Sequence, residues 1–217
     1  MLERHIQALV TDDTTGEAPA ATRERLKANF APGATRRMTN LGLLVGSALG
    51  RLGPGEGDSV VYATGYAESC ALEGFLDSFP TPSPTLFQTS IHPSAVQQLM
   101  IGRQQALREL MPISGGPLMA FHAVRASLLS PAARSILCGG EERGSWLLEH
   151  GLASDRTFAF AMALTVRETA DAPGKVRLSR HAGDGRLDLP SFFDLVHARK
   201  PFDGMIAPGW RLALEWR

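Results

Sequence analysis

The stretch Met111-Pro112-Ile113-Ser114-Gly115-Gly116-Pro117-Leu118-Met119-Ala120-Phe121-His122-Ala123-Val124-Arg125-Ala126-Ser127-Leu128-Leu129 joins a Gly-Gly-Pro turn to a segment that is apolar on nearly every side. A helix of that composition belongs near the centre of a domain, because a surface helix keeps one polar face. The next apolar run, Arg134-Ser135-Ile136-Leu137-Cys138-Gly139-Gly140-Glu141-Glu142, reads as a strand closed by glycines. Turn, buried helix and strand in close succession are the mark of a layered α/β chain.

Working towards the N-terminus, Asp58-Ser59-Val60-Val61-Tyr62-Ala63-Thr64-Gly65 is a short β-branched and aromatic run. A helical pattern from Glu68 to Phe79 follows it, so the pair predicts a strand and its crossover helix. Before it, Leu41, Leu43, Leu44, Val45, Ala48 and Leu49 recur at helical spacing in a helix beginning at Arg36, which Gly50 and Gly53-Pro54-Gly55 terminate. The segment from Pro80 to Pro84 predicts a surface loop, and beyond Leu86–His92, Pro93 can open a helix carrying Val96, Leu99, Met100 and Ile101. Residues 1–30 read as a polar, partly irregular lead-in. Towards the C-terminus, Thr157–Val166 predicts a long buried strand and Lys175–Ser179 a half-exposed one. Leu189–Arg199 predicts an amphipathic helix and Trp210–Trp216 a further alternating strand. Residues 1–217 read as a single α/β domain without repeat or linker.

Composition removes several function classes. The 22 Lys and Arg balance 22 Asp and Glu, so no extended field draws in a nucleic-acid backbone or an anionic membrane. No apolar run reaches the roughly 18 to 20 residues of a membrane helix, and the N-terminus has no signal-peptide pattern. The two cysteines, Cys70 and Cys138, make no disulfide framework and no metal-ligand spacing, which points to a reducing, cytoplasmic compartment. The six histidines are scattered, so no metal site is expected, and no cofactor motif is present. Gly46-Ser47-Ala48-Leu49-Gly50-Arg51-Leu52-Gly53 lies inside and after a helix, where it serves as a stop rather than a phosphate cradle. Ser114 sits on a sharp turn, the kind of place that exposes a nucleophile, but the sequence places no base beside it and the turn is no Gly-x-Ser-x-Gly elbow. His122 reads as a hydrogen-bonded core histidine.

The order of the Arg36 helix, the Val60–Gly65 strand, Ser83-Pro84-Thr85-Leu86-Phe87-Gln88-Thr89-Ser90-Ile91-His92, the Ser114 turn with its helix, and Leu137–Glu142 resembles the N-terminal half of β-ketoacyl synthases. More narrowly, it resembles the short chain length factors of aryl polyene and related type II polyketide or fatty-acid-like pathways. The resemblance implies a thiolase-like layered fold, N-terminal half only, with a mixed sheet packed by helices. It also implies two losses. With His122 on the helix histidine of the family pattern, Ser114 takes the position of the ketosynthase cysteine, and a serine is far less nucleophilic without a base. The two histidines that decarboxylate the malonyl unit belong to the C-terminal half. No catalytic residue is therefore expected. The implied role is a non-catalytic subunit that forms a heterodimer with a ketosynthase, with acyl carrier protein reached through the complex. The expected tunnel or interface residues are His92, Gln97, Met100, Ser114, Gly115, Gly116 and Phe121. Two other readings stay open: a serine acyltransferase or thioester hydrolase using Ser114 with His92 or His122 as base, and a homodimeric module binding a hydrophobic ligand or a carrier protein. On the heterodimer reading, the open face of the helix Leu118–Leu129 requires cover by the ketosynthase partner.

Overall fold

The computed structural model describes residues 1–217. Its centre is one mixed sheet of eight strands: β1 (Leu2–Asp13), β2 (Ser59–Thr64), β3 (Glu109–Ser114), β4 (Arg134–Glu141), β5 (Phe158–Thr165), β6 (Gly174–Arg180), β7 (Phe202–Ala207) and β8 (Trp210–Trp216). Their order is β3-β2-β4-β5-β1-β6-β8-β7. β3, β2 and β4 are mutually parallel and every other pairing is antiparallel. The α/β class and the mixed sheet packed by helices are as the sequence implies.

Alternation along the strands sorts the core into two layers. In β5, Phe158, Phe160, Met162 and Leu164 face one side, with α6 (Met119–Leu129) and α8 (Leu189–His197). Ala159, Ala161 and Ala163 face the other, with α1 (Pro19–Lys27), α2 (Asn40–Arg51) and α5 (Ser94–Gly102). Small residues on that face let α2 lie close to the sheet. The remaining helices are short: α3 (Ser69–Leu76) and α4 (Pro84–Thr89) follow β2, and α7 (Trp146–Glu149) follows β4. From β2 the chain crosses to β3 by way of α5 on one face, then passes β2 to reach β4 by way of α6 on the other. The reversal of direction requires that change of face if both crossovers keep one hand.

Gly139 and Gly140 lie inside β4 rather than closing it. A Cβ on Gly139 would stand 2.4 Å from the Ala63 carbonyl oxygen, and one on Gly140 2.5 Å from that of Phe158. Only glycine fits, and its bareness admits the Phe160 ring on one face and Val45 on the other.

Four expectations are corrected. Residues 2–13 are no lead-in: they form β1, in the interior of the sheet between β5 and β6. A register shift between Ile6 and Ala8 breaks the two-residue period, so Leu2, Ile6 and Leu9 pack on the α6 layer while Ala8 and Val10 pack on the α2 layer. Met111–Ser114 is strand rather than turn, an edge strand that accommodates Pro112. The helix expected from Arg36 is α2 and begins at Asn40, where the Thr39 hydroxyl accepts from the Gly42 amide at 2.8 Å. Finally, α6 is not buried all round. His122, Arg125 and Leu129 form an exposed stripe on its outer side, so a polar face meets solvent and His122 is no core histidine.

Candidate functional site

Ser114 ends β3 opposite Thr64, and the Gly115 amide donates to the Thr64 carbonyl at 3.2 Å. Gly115 and Gly116 then turn the chain with φ of +73° and +80°, a conformation that suits glycine, before Pro117 leads into α6. Ser114, Gly115 and Gly116 are exposed. Leu110 packs on the α2 layer while Met111 and Ile113 pack on the α6 layer, so alternation turns Ser114 away from α6. His122 stands on the outer side of that helix, against Phe121 at 5.1 Å between ring centroids. His92 lies on the α2 layer over Tyr62, at 4.8 Å between centroids, and neither of its nitrogens has a hydrogen-bond partner. The Ser114 hydroxyl is thus bonded to no base, and burial holds His92 down at about 4. The structure does not bring Ser114, His92 and His122 together.

A cleft of about 320 Å³ opens at the carboxyl ends of β2 and β4, the usual position for a ligand crevice in a parallel sheet. It lies between the starts of α6 and α8 and is lined by Tyr66, Gly116, Met119, Glu141, Arg186 and Asp188, among others. Glu141 is buried, and its carboxyl accepts from the Gly65 amide at 2.5 Å and the Thr64 hydroxyl at 3.3 Å. Burial pushes it up to about 7, against the opposing pull of those hydrogen bonds. Asp188 caps α8 through the Ser191 amide at 2.9 Å. Sequence reasoning singled out the Gly-Gly-Glu-Glu run but gave its acids no role. The only signal was two carboxylates closing a strand otherwise buried throughout.

Three more buried or part-buried acids tie the loops of this end to helix starts. Glu73 accepts from the Ser145 amide and hydroxyl and, at 2.7 Å, from the Leu147 amide at the head of α7. Glu142 accepts from the Leu41 amide at 3.2 Å in α2, and Glu68 from the Ala95 amide at 3.4 Å in α5. Each supplies a partner for amides that a helix start leaves open and that favour negative charge. Burial pushes Glu68 up to about 7 and, helped by Glu142, Cys70 up to about 12, which favours the un-ionised thiol. No group of three or more His, Cys, Asp or Glu side chains is placed to hold a metal ion.

The surface of α3 and α4 is apolar. Leu72, Leu76, Phe79, Leu86, Phe87 and Ile91 are exposed, Phe79 by 56% and Phe87 by 53%. The Phe75 ring joins the patch, 5.5 Å from Phe79 and 5.3 Å from Phe87. Exposed apolar surface on this scale marks an interaction site. Of the other expected interface residues, Gln97 is exposed, whereas Met100 and Phe121 fill this chain's own core at 8% and 6% exposure. β3 is paired with β2 on one side only and presents its other edge.

No protein-family model and no curated protein matches the sequence. Solved structures do. The chain superposes with TM-score 0.68 and 16% identity on a chain of the ketosynthase ApeO in complex with its chain length factor ApeC from Xenorhabdus doucetiae, covering 99% of this chain and 100% of that one. It is similar, with TM-score 0.56 and 12% identity, to a chain of the ishigamide ketosynthase/chain length factor, covering 83% and 68%. The fold is therefore the thiolase-like one of these proteins, over essentially the whole chain. No helix is long and apolar enough to cross a membrane.

Proposed function

We propose that this chain is a non-catalytic ketosynthase-like subunit of the chain-length-factor type, which pairs with an active β-ketoacyl synthase and shapes its acyl-chain tunnel. The observation that carries the reading is the apolar surface of α3 and α4, which at Phe87 and Ile91 runs into the segment, Phe87 to Met100, that the resemblance places near the partner's tunnel. A chain left alone would keep these rings in water, at a cost on the order of 1.5 to 3 kcal/mol for each fully exposed side chain. The free edge of β3 offers a second means of attachment, by strand-to-strand pairing across the interface. The base-free Ser114 supports the absence of independent condensing activity.

On this reading Phe87, Ile91 and Gln97 supply the bulk that faces the partner, with Ser114, Gly115 and Gly116 beside the paired edge. Met100 and Phe121 act only from within the core, by setting the positions of α5 and α6. Acyl carrier protein engages the complex, not this chain alone, and the work is done in the reducing cytoplasm, in keeping with two free thiols.

The test is a reconstituted complex with a ketosynthase. Replacing Ser114 with Ala is expected to leave product formation intact, while Gln97→Trp shortens the products. Loss of all activity in the Ser114→Ala protein would revive the serine acyltransferase reading and end this one.

A further inference from the structure

We propose that Tyr62, Glu68 and His92 enclose a binding site for at least one buried water molecule, which anchors the start of α5 to the sheet. Tyr62 projects from β2, Glu68 precedes α3, and His92 lies just before α5, so three separate parts of the chain meet here. The Tyr62 hydroxyl, Glu68 Oε2 and both ring nitrogens of His92 are buried, and none has a hydrogen-bond partner in the protein. Buried polar atoms are seldom left so, and here three of them belong to two neighbouring rings, Tyr62 and His92. The rings of His92 and Tyr62 are 4.8 Å apart. The other oxygen of Glu68 accepts from Ala95, on the first turn of the helix that His92 leads into. The Tyr62 hydroxyl is raised by burial and by the nearby Glu68 charge, which places the two groups within electrostatic reach.

The chemistry selects water. A phenol, a carboxylate oxygen and a neutral imidazole need a partner that both donates and accepts, with two to four contacts in a small space. An apolar occupant would satisfy none of them, and a lone carboxylate with one imidazole is too poor a set for a metal ion. A bridging water gives β2 a second polar link to the turn that launches α5, beside the bond from Ala95 to Glu68. The site itself does not depend on the proposed function. Its bearing on Gln97, in the same first turn of α5, rests on that reading.

A high-resolution crystal structure of the wild-type chain, alone or in its complex, tests the site. We expect an ordered water within hydrogen-bond distance of the Tyr62 hydroxyl, Glu68 Oε2 and one His92 nitrogen. A dry site, a different occupant, or a direct bond from Tyr62 to Glu68 would overturn the proposal. Anchoring has its own readout: in Tyr62→Phe, amide exchange at Ala95 to Gln97 should speed up by about tenfold while the β2 amides stay protected. Unchanged protection at those amides would refute the anchoring role.

Discussion

Glu141 is the residue through which pH acts on the functional end of the sheet. Its folded pKa of about 7 lies above the unfolded value, so between about pH 4.5 and 7 the folded chain holds more protons than the unfolded one. Stability conferred by the neutral acid is complete at low pH and is lost as pH rises through that window, at no more than about 1.4 kcal/mol per pH unit. Glu68 acts in the same sense, while His92, held at about 4, acts in the opposite one below about pH 6.5. Glu141→Gln isolates the first effect. We expect urea melts from pH 5 to 8 to show the wild type losing ground to the variant up to about pH 7 and no further; a constant difference would mean that Glu141 titrates normally. Glu73 has a purely structural part. Glu73→Ala removes a carboxylate that accepts from Ser145 and Leu147, and should cost about 2 to 4 kcal/mol in chemical denaturation.

Among the elements, β1 and α6 are joined by a clamp that was not legible in the sequence. Buried Arg4 donates to the Leu128 carbonyl at 3.4 Å, to that of Ala132 at 3.0 Å, and to that of Ser130, so it satisfies the end of α6. Arg4→Met should destabilise the chain by about 2 to 3 kcal/mol and expose the last turn of α6 to amide exchange. An arginine in an interior strand, next to a bulge that breaks alternation, gives a sequence no reason to place a strand there, and this is why β1 reads as lead-in. The strands that were legible are β2, β4 and β5, with short apolar stretches buried on both faces, and β6 and β8, with alternating residues. The apolar character of α6 was also legible, but its exposed stripe of His122 and Arg125 was not. The segment appears wholly apolar until its rotation about the sheet is known. At the site, the Ser114 turn and the two glycines could be found from sequence. The separation of Ser114 from His122 could not, because it depends on which face of the sheet each one occupies.

At the scale of the whole molecule, the chain has a closely packed core and one apolar surface left open to water. The two buried layers contain 25 and 19 apolar residues, and the open side of α6 carries His122 and Arg125 with only Leu129 as an exposed apolar side chain, so that helix makes little demand for a partner. The demand for a partner falls instead on α3 and α4. A charge in that patch should spare the fold and destroy assembly: Phe87→Glu, which gives up the ring contact with Phe75, is expected to cost no more than about 1.5 kcal/mol of stability. The most direct experiment is therefore to purify the tagged wild-type chain from its native host without crosslinking, beside Phe87→Glu, and to measure subunit identity and stoichiometry by native mass spectrometry. We expect a one-to-one complex with a full-length ketosynthase that retains its cysteine, absent from the Phe87→Glu sample. Recovery of the wild-type chain alone or as a homodimer would contradict the account.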